Sequence, residues 1–237
     1  PFPIYRRTLY LLGMYHRTQL LLDKADAFEK VGQWQAAIEV CESAFQNAYR
    51  SGQLEALLES LLRIGLLYSS KGSEPELATE YFELVLEISR LTCDSFREAR
   101  ALNSLGVQAQ RSGNVDAAQA YFLEAKAVAA NTSQSRTRGD IEVNLGIIAN
   151  IRGDLEIALA HYEAALTEYR LTNQSQRIAR VLNNLGMLYT DLKKYDEAAK
   201  TLDTALQLSR EIGDVQVEGI ILTNRIELLL ALGALDE

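Results

Sequence analysis

The chain is poor in the residues that end helices or build small reactive sites. Only three prolines occur in 237 residues, and two of them are Pro1 and Pro3. Proline interrupts helices and marks loop-rich β folds, so this scarcity points to long uninterrupted helices. Two cysteines, Cys41 and Cys93, make neither a disulfide framework nor a metal site, and they fit a reducing compartment. The two histidines, His16 and His161, fall in different parts of the chain, which excludes a paired-histidine metal site. A basic excess is also missing: the formal charge is −8, and no Lys/Arg run resembles a nucleic-acid arm. No run has the apolar length of a membrane span; the most apolar stretch, 218–235, is broken by Asn224, Arg225 and Glu227. No Gly-rich phosphate loop and no nucleophile–base arrangement stands out, so no cofactor and no enzymatic activity is expected. No signal peptide is visible, and the chain begins at Pro1 as a trimmed piece would, so its start says nothing about targeting; a cytoplasmic location is the expectation.

What remains is rich in helix formers, with 48% apolar residues, enough for a sizeable core. It is also periodic. Ala25, Gly65, Gly106, Gly146 and Gly186 follow one another at intervals of 40, 41, 40 and 40 residues, and the next step reaches Ile226, where the small residue is lost. A second series, Ala37, Ala78, Ala118, Ala158 and Ala198, and a third, Ala44, Val85, Ala125, Ala165 and Ala205, carry the same one-residue insertion. Small residues at fixed points let two helix axes approach while larger neighbours fill the grooves. Glycine inside a helix costs up to ~1 kcal/mol relative to alanine, so its retention implies a packing constraint.

The turns keep the same register. Gly32-Gln33, Gly72-Ser73, Gly113-Asn114 and Gly153-Asp154 pair a helix-ending glycine with a polar residue suited to cap the next helix. Ser73-Glu74-Pro75-Glu76 has the form of a capping box, and Lys193-Lys194 replaces the glycine pair in the fifth unit. The expected helices are 16–31, 34–50, 54–71, 75–91, 94–112, 115–131, 135–152, 155–171, 175–192, 195–211 and 215–232, with a shorter one at 4–12 ahead of Gly13. Tyr5, Tyr10 and Tyr15 suit packing and capping at the N-terminal end, and Trp34 suits an anchor at the start of a helix.

Leu185-Gly186-x-x-Tyr189 with Ala198, Ile64-Gly65-x-x-Tyr68, Leu105-Gly106 and Leu145-Gly146 resemble the motif of the tetratricopeptide repeat family. The aromatic of the second helix is matched by Phe82, Phe122 and Tyr162 and replaced by Cys41 and Leu202. The unit is 40 residues instead of the usual 34, which resembles the long form found in kinesin light chains, Pins-type scaffolds and bacterial signalling regulators. The resemblance implies an all-α, right-handed superhelical solenoid of antiparallel helix pairs, about five and a half repeats. Residues 1–17 form an N-terminal helix or partial repeat, and 18–237 the solenoid, with units starting near 18, 58, 99, 139, 179 and 219.

In the family the first helix of each pair lines a concave groove. By register, that places Leu62, Leu66, Arg100, Asn103, Val107, Arg111, Val143, Ile147, Asn150, Arg180, Asn183, Met187 and Asp191 on it. Leu62, Leu66, Val107, Val143, Ile147 and Met187 would give an apolar floor; Arg100 and Arg180 would fork onto carboxylates, and Asn103 and Asn183 would bond a peptide backbone. The alternative for these polar residues is a bridge to a neighbouring acid or helix. The implied function is a scaffold or regulatory module that binds a protein segment bearing acidic residues. A different reading is self-assembly: the sixth unit lacks its second helix, and its apolar end suits burial by another copy through terminal helices.

Overall fold

A computed structural model describes residues 2–72, 74–130 and 132–233, without the side chains of residues 2–12, 14 and 15. Ser73 of the expected capping box and the side chains of Tyr5, Tyr10 and Tyr15 therefore lie outside the described residues. Eleven helices and no strand occur among the described residues: α1 Phe2–Lys30, α2 Trp34–Ser51, α3 Leu54–Lys71, α4 Pro75–Leu91, α5 Ser95–Arg111, α6 Val115–Ala129, α7 Ser135–Arg152, α8 Leu155–Leu171, α9 Ser175–Asp191, α10 Tyr195–Glu211 and α11 Val215–Ala231. From α2 onward the ends lie within two residues of those read from the sequence. The N-terminal reading needs correction. No break occurs at Gly13, and the two expected helices are one 29-residue helix. A single glycine weakens a helix by only ~1 kcal/mol and does not end it without a competing turn.

The helices form two compact units, residues 1–121 and 122–237. In unit 1, Ala25 of α1, Ala37, Ile38 and Cys41 of α2, and Ile64 and Leu67 of α3 share one core, with Trp34 packed against it. In unit 2, one core joins Ala149 of α7, Tyr162, Ala165 and Tyr169 of α8, and Val181, Leu185 and Leu188 of α9. A second joins Ala179 of α9, Ala198, Leu202 and Ala205 of α10, and Val217, Ile221 and Leu228 of α11. In each of these cores a helix pair buries its apolar stripes against the first helix of the next pair, as stacked repeats do. Burial pushes the Cys41 thiol up to about 11, which leaves it protonated and inert in this core.

The anchor glycines sit where the register expects close approach. A Cβ on Gly65 would lie 2.6 Å from the Phe82 ring, one on Gly146 2.6 Å from the Tyr162 ring, and one on Gly186 2.5 Å from Leu202. Sequence reading missed a fourth such contact, Gly139 beneath the ring of Tyr169, where a Cβ would approach to 2.5 Å. Its signal is a volume exchange between two register positions. Leu58 and Ala179 stand where Gly139 does, and the small Ser89 and Ser209 stand near the register position of Tyr169.

The turns divide their work differently from the expectation. Gly153 takes the left-handed conformation after α7, and Lys193 takes it at the same register position after α9, with φ 57°. A lysine there carries the Cβ strain that glycine avoids. Asn114 accepts a capping bond from the Ala117 amide at 3.1 Å, but Gln33 and Asp154 make no side-chain cap. The other side-chain caps fall before first helices: Asp94 accepts from Arg97 N and Asp214 from Val217 N.

Candidate functional site

Counting from the anchor residue of each unit as zero, positions −6, −3, +1 and +4 or +5 lie along one face of the first helix, because 3.6 residues make a turn. Position −6 is held in succession by Glu59, Arg100, Asp140 and Arg180, an alternation of sign. Intervening positions such as −1 and −5 turn into the core.

In unit 1 this face is a ladder of ion pairs. Arg100 donates from both guanidinium ends to Glu59, at 2.5 and 3.3 Å, across 41 residues of sequence. Arg63 donates to Glu59 at 3.4 Å, to the Leu22 carbonyl at 2.9 Å and to Asp26, so α1, α3 and α5 are tied together. The Arg100 and Arg97 guanidinium groups also lie 5.3 and 5.8 Å from the Phe96 ring centroid. Beyond the ladder, Arg111 donates to the Ser69 carbonyl at 2.6 Å and to its hydroxyl at 2.7 Å, while Ser69 donates to Gln108 at 3.0 Å. Between these polar margins sit Leu66, 39% exposed, and the half-buried Val107 and Asn103.

Two expectations change here. Leu62 is 1% exposed and belongs to the core, so it offers no floor to a partner. The Arg100 fork is already filled by Glu59, so the bridging alternative holds for this residue.

In unit 2, Asp140 accepts from the Tyr169 hydroxyl at 2.6 Å and pairs with Arg177, whose guanidinium lies 5.8 Å from the Tyr169 ring centroid. Asn183 is buried and accepts from Asn224 at 2.8 Å, which ties α9 to α11 instead of facing a ligand. Val143 and Ile147 are half-buried and rest on the core between α7 and α9. Met187 and Asn150 are half-buried, and Ile151, Asp191 and Arg180 are exposed. Arg180 makes no hydrogen bond or ion pair with any described residue. Its charge acts through space on the Asp214 carboxyl, without an ion pair between them. The side therefore offers an apolar row, Val143, Ile147 and Met187, beside one available guanidinium. Sequence reading missed Arg63, Arg177 and Tyr169. The two arginines share a signal, an aspartate 37 residues earlier, Asp26 and Asp140 respectively.

The cavities lie elsewhere. A groove of about 840 Å³ in unit 1 runs along α2 and α4, lined by residues such as Glu42, Asn47, Tyr81 and Leu84. One of about 290 Å³ in unit 2 lies among α6, α7 and α8. None of the thirteen residues read from the sequence lines either. The charges in the smaller one cancel internally: Lys126 pairs with Glu142 at 2.8 Å, Arg138 with Glu168 at 2.9 Å, and His161 bonds Glu142 at 2.7 Å. Among the described residues no three or more His, Cys, Asp or Glu stand close enough to hold a metal, and no helix is long and apolar enough to cross a membrane.

These ion pairs have a consequence for acid stability. Burial works to raise the Glu59 carboxyl, but Arg100 and Arg63 outweigh it and hold it below the usual carboxylate range. At Glu142, burial is likewise outweighed by His161 and Lys126. A carboxylate depressed in the folded state adds stability above its unfolded pKa and loses it as pH falls through the folded value. The melting temperature is therefore expected to hold at neutral pH and to drop as pH falls below about 4.5. Glu59→Gln should cost about 1 kcal/mol at pH 7, given partial exposure, and flatten that acid limb. Thermal melts from pH 7 to pH 3 check this; an unchanged acid limb in Glu59→Gln would exclude the ladder as its source.

Residues 137–211 match the model of the tetratricopeptide repeat family. That segment is accordingly of tetratricopeptide type, and the described residues as a whole form an all-α helical repeat. Over 63 residues, 27% of this chain, it is 33% identical to the mitochondrial tetratricopeptide repeat protein 19 homolog of Drosophila melanogaster, and the match spans only 16% of that protein. Among solved structures it is similar to the Rap conjugation gene regulator of plasmid pLS20 in complex with the Phr peptide, at 18% identity and a TM-score of 0.74, over 88% of this chain and 57% of that one. It is also similar to a kinesin light chain from Podosopora anserina with nearly identical TPR-like repeats, at 20% identity and a TM-score of 0.59, over 84% of this chain and 98% of that one.

Proposed function

We propose that this chain is a binding module that holds a segment of a partner protein on its first-helix face. The observation that carries the reading is the recurrence, at position +1 of successive first helices, of apolar side chains left partly open: Leu66 and Val107 in unit 1, Ile147 and Met187 in unit 2. A core needs no such row on its outer side, and half-covered apolar residues bounded by polar groups suit a peptide docked along helices. Arg180 adds charge selectivity, since its exposed guanidinium is fixed in no hydrogen bond or ion pair with a described residue and favours a segment with an acidic residue. The peptide-bound Rap regulator gives the same fold a precedent for such an occupant. On this reading the module is the scaffold or regulatory part of a larger signalling protein.

The test is a selection of random peptides on the wild-type chain, followed by titration calorimetry against Ile147→Asp/Met187→Asp and, separately, Arg180→Glu. Selected peptides should lose at least ~10-fold in affinity to the first variant, about 1.4 kcal/mol. They should be acid-bearing and should weaken on Arg180→Glu. Equal binding to wild type and both variants would sink the proposal.

A further inference from the structure

We propose that the cavity among α6, α7 and α8 is a binding site for a free amino acid with a small apolar side chain. Every lining residue belongs to unit 2, with α6 before the cavity and α8 after it, so its walls do not depend on where the chain begins or ends. Its volume of about 290 Å³ is at the small end of ligand pockets, which run to ~300–1,000 Å³, and suits a ligand of this size.

The cavity arises because this junction departs from the repeat. Glu142 stands where Leu61, Leu102 and Leu182 stand in other first helices. Lys126 stands where other second helices carry Leu86, Leu166 and Leu206, and Glu168 where they carry Ile88, Val128 and Leu208. Three positions that are apolar in neighbouring units are therefore ionisable here. The room comes from Ala130. It stands where Arg90 and Arg210 stand, each paired with a glutamate eight residues on, Glu98 at 3.1 Å and Glu218 at 2.7 Å. At this junction the long side chain is missing, and Arg138 holds the glutamate's register position. Stability does not explain the exchange. An ion pair taken out of water rarely outdoes packed leucines, and a cavity forfeits contacts. Ionisable groups gathered on a cavity at such a cost mark a ligand site.

The charges select the ligand. Lys126 and Arg138 balance Glu142 and Glu168, so the lining favours a molecule carrying both signs over a lone cation or anion. Arg138 spends its donors on Glu168, Ser135 and the Thr132 carbonyl. Lys126 has donors to spare: its ammonium carries three, the Glu142 pair at 2.8 Å uses one, and its side chain is 48% exposed. It takes the ligand carboxylate at the rim. Glu142 is buried, and each of its oxygens meets one described partner, Lys126 or His161, and keeps a further lone pair. With Glu168 it takes the ligand ammonium inside. Ala129, Ala130, Ala164 and Ile141 wall the side chain. None of these residues lies on the first-helix face, so this site and the peptide site stand or fall separately.

Titration calorimetry of the whole chain against the standard amino acids, each up to about 10 mM, tests the proposal. At least one small apolar amino acid should bind with a Kd below about 1 mM. Its N-acetyl and methyl ester forms, each lacking one charge, should bind at least ~10-fold more weakly. Lys126→Leu/Glu142→Leu, which copies the neighbouring units, should keep its helical circular dichroism and bind at least ~10-fold more weakly. Ala130→Arg, which restores the long side chain, should weaken binding as much, and it decides alone if the double variant does not fold. The proposal fails if no amino acid binds, if the blocked forms bind as tightly as the free one, or if binding survives Ala130→Arg and the folded double variant.

Discussion

Gly146→Leu is expected to destabilise the chain by about 3 kcal/mol, whereas Gly219→Ala is expected to stabilise it by about 0.5–1 kcal/mol. Both glycines lie inside first helices, and helix propensity alone would favour replacing either. The difference is what lies above them. A Cβ on Gly146 would stand 2.6 and 2.8 Å from two carbons of the Tyr162 ring, and that ring is itself buried between α7 and α9. A leucine there must push α8 away from α7, which opens contacts on both sides of the repeat. Over Gly219 nothing lies within 4 Å, so only the backbone entropy term remains. Urea unfolding of both variants measures the pair. A stabilised Gly146→Leu would mean that the glycine series reflects something other than close packing.

Tyr169 should be the next most sensitive position. Tyr169→Ala is expected to cost about 4 kcal/mol, because a large buried ring is lost above a residue with no side chain to fill the void. Tyr169→Phe should cost only about 1 kcal/mol, the worth of one hydrogen bond. Its hydroxyl donates to Asp140, which keeps Arg177 as a partner when the hydroxyl is gone. The ratio of the two effects separates ring packing from hydrogen bonding. Near-equal losses would show that the Asp140 contact, not the ring over Gly139, holds α7 to α8. A compensating Gly139→Leu/Tyr169→Ser pair should recover part of the alanine loss, since it copies the exchange seen at Leu58 and Ser89.

Much of the fold was legible because its constraints recur. One glycine against one ring is ambiguous, but small residues at 25, 65, 106, 146 and 186 with a shared insertion fix a register, and the register fixes helix ends within two residues from α2 onward. The N-terminus lay outside that logic. Gly13 belongs to no series and reads as a boundary, whereas the helix runs through it. The site was legible only as a face. Register placed Leu62, Arg100 and Asn183 outward, and the structure withdraws each for its own reason. Leu62 is rotated into the core, Arg100 is claimed by Glu59 across 41 residues, and Asn183 by Asn224 across the same span. Such claims depend on side-chain reach between neighbouring repeats, which the spacing within one repeat does not encode.

The sequence by itself determined the all-α class, the 40-residue period, the pairing of helices and the points of close approach, because each follows from residue size and helical periodicity. Tertiary structure decided which polar groups are spent internally. It pairs Glu59 with Arg100 and Asp140 with Arg177 and Tyr169, and it leaves Arg180 without a described partner. It also decided which apolar residues remain open, since exposure is set by what the next helix covers, and nothing described covers the side of α11 that carries Leu222, Ile226 and Leu230.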